Sequence, residues 1–221
     1  MATKIRAVAD EDKVERRHAL LDAAEALFLE HPDRMASVAE VAQAAGLAKG
    51  TVYLYFPSKE EMLLALHERQ VGAFFSALIA LLEGYGPAGF DEIWALTRDH
   101  MIRPPGYLPL ASRCFGLMDR DIPAEAALAY KARVAQAMAL AGGGLERRFP
   151  ALGTGGGVTL LHHSYGLIVG LWQLLHPIER FGSAMARKEL ALFRRDYERE
   201  IEQALRTLWS GAMGPEPVRA A

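Results

Sequence analysis

Lys49, Thr51, Tyr53 and Lys59 put two ammonium groups and two hydroxyls into one short stretch of chain. Groups of these types donate hydrogen bonds and positive charge, which is the chemistry of gripping phosphate oxygens. Gly50 and Leu54 lie among them and add no polar group. Other residues invite chemistry but lack the spacing for it. His162 and His163 are adjacent, so on a helix they point about 100° apart and cannot readily share one ion. Cys114 is the one cysteine, with no second thiol to resolve an oxidised state. The run Gly153-Thr-Gly-Gly-Gly157 lacks the preceding strand and the following Lys-Ser/Thr of a phosphate loop, and reads as a linker. No paired carboxylates, nucleophile–base pair or cofactor loop is present. We therefore expect no catalytic residues, no metal and no cofactor.

The elements that must position the first set are legible nearby. Ser37 and Glu40 form an S-x-x-E capping box, which marks a helix start. Val38, Val41, Ala42 and Ala45 then recur on one helical face. Gly46 sits where the chain leaves that helix and needs a positive φ. A second helix resumes after Ala48, with Val52 and Tyr55 or Phe56 turned inward, and Pro57 stops it. Ser58 and Glu61 make a second capping box for the next helix. Two short helices across a tight turn are a helix-turn-helix, whose second helix fits a DNA major groove. Lys49, Gly50, Thr51, Tyr53 and Leu54 are its outward residues, Lys59 is a phosphate candidate at the next helix start, and Ser37 and Tyr55 complete the candidate DNA-binding set.

The run LAKGTVYLYFPSKEEML resembles the signature of the TetR family of bacterial transcriptional regulators, and LLDAAEALF, from Leu20 to Phe28, resembles that family's first helix. The resemblance covers roughly residues 14–66. It implies an all-α fold of about nine helices: an N-terminal three-helix helix-turn-helix domain, then a larger helical domain for effector binding and dimerisation. It also implies a homodimer on a double-stranded DNA operator. Three positions depart from the pattern. Ala48 stands where a Ser or Thr commonly caps the recognition helix, Leu54 where a His or other polar aromatic residue is frequent, and Ala39 where some members carry a base-reading Arg. These departures leave fewer hydrogen bonds to base edges and give more weight to shape readout.

At 221 residues, half of them hydrophobic, the chain holds one large or two modest folded domains. A net charge of −2 argues against a general polyanion binder and leaves room for sequence-specific DNA binding through a local cationic face. A single cysteine and no signal peptide fit a cytoplasmic protein. No run of about 18 apolar residues is free of polar interruption, so no membrane span is expected.

In chain order, residues 1–12 read as a frayed arm and a first helix runs from about Lys13 to Glu30. The boundaries predicted are a DNA-binding domain over 1–57, an effector-binding and dimerisation domain over 58–209, and a loose tail over 210–221. A long fourth helix from Ser58 to Glu83 would link reading head and second domain. Gly142, Gly143 and Gly144 either end the seventh helix or weaken its last turns. Val158 to His176 is apolar nearly all round, so it must be buried on more than one side. A last amphipathic helix is expected over Ser183 to Trp209. These two helices would pair with their copies, placing Leu167, Gly170, Leu171, Leu174, Tyr197, Ile201 and Leu205 at the dimer interface.

Candidate effector contacts are Trp94, Arg98, Phe115, Met118, His162, Tyr165 and Trp172, a mostly aromatic set suited to a small, largely apolar molecule. The favoured function is a sequence-specific DNA-binding regulator, a repressor released from a palindromic operator by such an effector. The alternatives are a DNA-binding regulator with no small-molecule effector and, more remotely, an all-helical enzyme or carrier.

Overall fold

The structure is a computed structural model that describes residues 2–32, 34–176, 183 and 186–213; the side chains of 2–11 and 119 lie outside the description. Among the described residues there are nine α-helices and no β-strand. They are α1 (Ala2–Glu30), α2 (Val38–Ala44), α3 (Lys49–Tyr53), α4 (Lys59–Glu83), α5 (Phe90–Thr97), α6 (Tyr107–Arg120), α7 (Ala124–Arg148), α8 (Gly156–Leu175) and α9 (Tyr197–Met213).

The chain forms two compact units, residues 1–70 with 105–130, and residues 71–104 with 131–221. Both α4 and α7 contribute residues to each unit.

In the first unit α1 is longer than expected. Residues 2–12, read as a frayed arm, continue the helix. No Gly or Pro interrupts residues 2–31, and the Ala, Lys, Arg and Glu there favour helix. α2 packs on α1 and α3. The first half of α4 is wrapped on all sides, with every residue from Met62 to His67 buried. Arg69 pairs with Asp22 and Glu25 of α1, while the Cys114 thiol of α6 faces the Leu63 carbonyl at 3.9 Å. Gly106 lets α6 start hard against α1, since a Cβ there would come within 2.8 Å of Leu29 Cδ2.

In the second unit the Gly142–Gly144 run does not end α7, which continues to Arg148. A Cβ on Gly142 would lie 2.6 Å from Val158 Cγ2, and one on Gly157 would land on the Gly142 carbonyl. The glycines are therefore where α7 and α8 cross. Gly156 and Gly157, expected in a linker, are the first residues of α8, and Gly155 precedes them at φ +80°. α8 pairs with α9. The Trp209 indole N–H donates to Ser164 Oγ at 2.9 Å, whose hydroxyl in turn donates to the Leu160 carbonyl at 2.7 Å.

α9 begins fourteen residues later than the sequence pattern suggests. Asp196 Oδ1 accepts the Arg199 N–H at 2.7 Å and holds its first turn, while Lys188–Phe193 is a 3₁₀ helix. The expected start at Ser183 falls in a region only partly described. Of the expected tail, 210–213 belong to α9 and 214–221 lie outside the described residues.

Candidate nucleic-acid interface

The geometry of α2 and α3 follows from local rules. The Ser37 hydroxyl accepts the Glu40 N–H at 3.3 Å, and Glu40 Oε2 accepts the Ser37 N–H at 2.8 Å. Arg34 grips the same carboxylate through both terminal nitrogens, at 3.2 and 2.8 Å. The Arg34 guanidinium first, and then the Ser37 N–H, hold the Glu40 carboxyl down at about 2. Gly46 takes φ +67° and turns the chain. α3 has no side-chain cap at Ala48. Val52 and Phe56 are buried and Tyr55 is half-buried, so Phe56, rather than Tyr55, is the inward aromatic. Arg17 lies over the Phe56 ring at 5.2 Å, which fastens α1 beneath the motif. The second box is one-sided. The Glu61 N–H donates to Ser58 Oγ at 3.0 Å, and the Ser58 hydroxyl, not its backbone, meets Glu61 Oε1 at 3.5 Å.

Ser37, Lys49, Tyr53 and Lys59 line one shallow concavity of about 370 Å³, together with Val38, Ala39, Pro57, Ser58 and Glu60. Gly50 and Leu54 are exposed beside it, and Thr51 is half-buried. Glu60 was not singled out from the sequence; its Oε1 lies 3.8 Å from Lys59 Nζ and reduces the net positive charge there. The arrangement offers two cations (Lys49 and Lys59), three hydroxyls (Ser37, Tyr53 and Ser58) and, beside them, the bare Gly50 backbone on one outward surface. That suits a polyanion better than a small molecule.

The residues suggested for an effector are divided. Phe115 and Met118 fall in the first unit and the other five in the second. Phe115 and His162 are exposed, while Trp94 is buried. Arg98 pairs with Asp99 at 3.2 Å and opens a π-helical turn, Arg98–Ile102, that continues α5. Trp172 stacks on His176 at 4.8 Å, and His176 meets Tyr197 edge-on at 5.5 Å. A second concavity, about 440 Å³, is lined by Thr154, Thr159, His163 and Leu208 among others, and by none of the suggested effector residues.

Of the suggested dimer residues, Ile201 and Leu205 are closed off by their own chain. Leu167, Leu171 and Tyr197 are half-buried, and Gly170 and Leu174 are exposed. Cys114 is buried, and that burial pushes its thiol up to about 12, which suppresses the reactive thiolate. Among the described residues no three His, Cys, Asp or Glu side chains are grouped to hold a metal, and no helix is long and apolar enough to cross a membrane.

His67 is a residue that the sequence did not flag. It is buried, with Nδ1 2.8 Å from the Tyr130 hydroxyl and its ring tilted against Tyr107. Its position four residues after Leu63 and seven before Phe74 puts it on the apolar stripe of α4, the signal that could have found it, and Tyr107 of α6 and Tyr130 of α7 close over it.

Comparison with known proteins agrees with this architecture. Residues 20–66 match the family described as bacterial regulatory proteins, tetR family, and residues 68–216 match the tetracyclin repressor-like C-terminal domain. The transcriptional regulator EthR of Mycobacterium tuberculosis is 38% identical over 80 residues, 36% of this chain and 37% of that protein. The fatty acid metabolism regulator of Bacillus subtilis is 36% identical over 59 residues, 27% of this chain and 30% of that protein. The chain thus matches only about a third of the length of these relatives. Among solved structures, SmeT, the repressor of the Stenotrophomonas maltophilia efflux pump SmeDEF, is similar in fold with a TM-score of 0.52 and 23% identity, covering 92% of this chain and 96% of that one. A candidate regulator from Pseudomonas aeruginosa PAO1 aligns with a TM-score of 0.59 and 16% identity over 90% of each chain. With helix-turn-helix and C-terminal domain both matched, the second across more than half of its residues, the chain belongs to the TetR family of bacterial regulatory proteins.

Proposed function

We propose that this chain is a cytoplasmic, homodimeric transcriptional regulator, a repressor that binds a palindromic DNA site and leaves it when a small, largely apolar molecule binds. What chiefly supports the DNA-binding part is the shared concavity that gathers Ser37, Lys49, Tyr53 and Lys59 on the outward surface of the helix-turn-helix. Two copies of α3 would enter successive major grooves about 34–36 Å apart. The effector part has weaker support. The π-helical turn at Arg98–Ile102 is a backbone irregularity of the kind that often marks a functional site, and it lies in the aromatic second unit. An effector acts only by binding the released state more tightly. No catalytic role is proposed.

Retention of random DNA duplexes by the purified protein, followed by sequencing, tests this reading. We expect a palindromic consensus and salt-sensitive binding. Lys59→Ala and Lys49→Ala should each weaken binding and flatten the plot of log K against log salt by about 0.9 for each phosphate left without its cation. Tyr53→Ala should weaken binding with a smaller change in slope. Retention without sequence preference, or variants that bind like the parent, would remove the reading.

A further inference from the structure

Leu54 is 79% exposed, and nothing in its own unit explains why a leucine stands there. A single exposed leucine is ordinary in itself. Its position is what matters. Leu54 closes α3 with helical dihedrals, φ −71° and ψ −20°, so it shares a face with Gly50 one turn earlier. Helical side chains lean toward the N-terminus, so the Leu54 isobutyl group stands on the Gly50 side of the helix end without covering that backbone.

Gly50 is equally unexplained by the fold. Its φ is not positive, and a Cβ built on it meets no atom within 4 Å. Glycine inside a helix is less stable than alanine, and here the chain gains no packing in return. An open notch beside an apolar knob therefore lies on the outward face, flanked by Lys49 and Tyr53.

We propose that Gly50 and Leu54 form a seat for the C5-methyl group of a thymine in the major groove. This rests on the reading of α3 as the DNA-facing helix and adds the base it prefers. Of the groups at major-groove base edges, the thymine methyl is the one apolar group that projects into the groove, cytosine having only a C5–H in its place. Leu54 over any other edge would cover hydrogen-bonding atoms without pairing them, which disfavours those bases. Gly50 lets the methyl approach the helix backbone, and Lys49 and Lys59 hold the flanking phosphates.

The test uses the duplex recovered from the random pool, with each thymine replaced in turn by deoxyuridine. That change removes one methyl and leaves base pairing intact. One thymine per half-site should show a loss of about fourfold, and about 15-fold when both half-sites are changed. Leu54→Ala should bind the thymine and uracil duplexes equally, with the parent's salt dependence. Gly50→Ala should raise thermal stability while weakening binding to the thymine duplex. Parent protein that binds both duplexes alike at every position, a consensus without thymine, or Leu54→Ala that keeps the discrimination would each overturn the methyl seat while leaving DNA binding by α3 intact. Absence of any selective retention would instead overturn the DNA-facing reading, and the seat with it.

Discussion

His67 shows how one side chain can make a fold sensitive to acid. Burial holds it down at about 4, against 6.5 for an exposed histidine. Between those values the unfolded chain binds a proton that the folded chain refuses. Stability is therefore complete above about pH 6.5 and falls as pH drops toward 4, by up to about 3 kcal/mol over the interval. Glu40 works in a lower window. Its carboxyl sits at about 2 against 4.5, so its contribution is present above 4.5 and fades only as pH falls below that. Urea unfolding at pH 7 and pH 5 separates the two. The parent should lose stability between these values, and His67→Gln, whose amide can still hydrogen-bond the Tyr130 hydroxyl, should lose much less. Equal losses in both proteins would show that another group titrates.

At the scale of helices, the crossing of α7 and α8 makes a discriminating prediction. Gly142→Ala forces a methyl onto Val158 and should destabilise the protein by about 1–3 kcal/mol, as overpacking does. Gly143, one residue on, would meet only the flexible tip of Arg147 at 3.6 Å. Gly143→Ala should be neutral or stabilising by up to about 1 kcal/mol. Urea midpoints of the two variants decide it, and like behaviour would mean that the two helices cross less tightly than these distances require.

The same glycines mark the limit of what the sequence discloses. The helix-turn-helix was legible because its signals are local. Ser37 and Glu40 lie three residues apart and Gly46 sets its own turn, although α3 ends at Tyr53 with Leu54 as its cap, before the expected stop at Pro57. The Gly142–Gly144 run was not legible, because its reason is a partner helix fifteen residues along the chain. The start of α9 was obscured in the opposite way. Leu190 and Phe193 continue the apolar spacing of the helix, yet Asp196 caps it later and Phe193 stays partly exposed. The grouping of Ser37 with Lys49, Tyr53 and Lys59 was foreseeable in membership. That Glu60 faces the same concavity depended on where α4 begins relative to α3. His67 stood on the apolar stripe of α4, but its partner Tyr130 lies 63 residues away and only the fold brings it near.

For the whole molecule, the proposed dimer sets the strictest requirement. Gly166, Gly170 and Leu174 are exposed at four-residue steps along α8, and a Cβ on either glycine would meet no atom within 4 Å. They form a low, partly apolar track on which a second helix could lie closely. Ile201 and Leu205, by contrast, are already buried within their own chain. Substitutions in the two sets should therefore fail differently. Gly170→Arg and Leu174→Asp should leave the helical spectrum and urea midpoint nearly unchanged, yet shift sedimentation equilibrium from dimer to monomer. Ile201→Ala should lower the urea midpoint instead, by about 2–5 kcal/mol of stability. A monomer carries one reading helix in place of two linked ones, so its affinity for a two-half-site duplex should drop by about 10²–10⁴. Its affinity for a single half-site should stay that of one parent subunit. If Gly170→Arg remains dimeric and binds the palindrome as before, the track on α8 is not the interface. The coupling between subunits must then run through another surface.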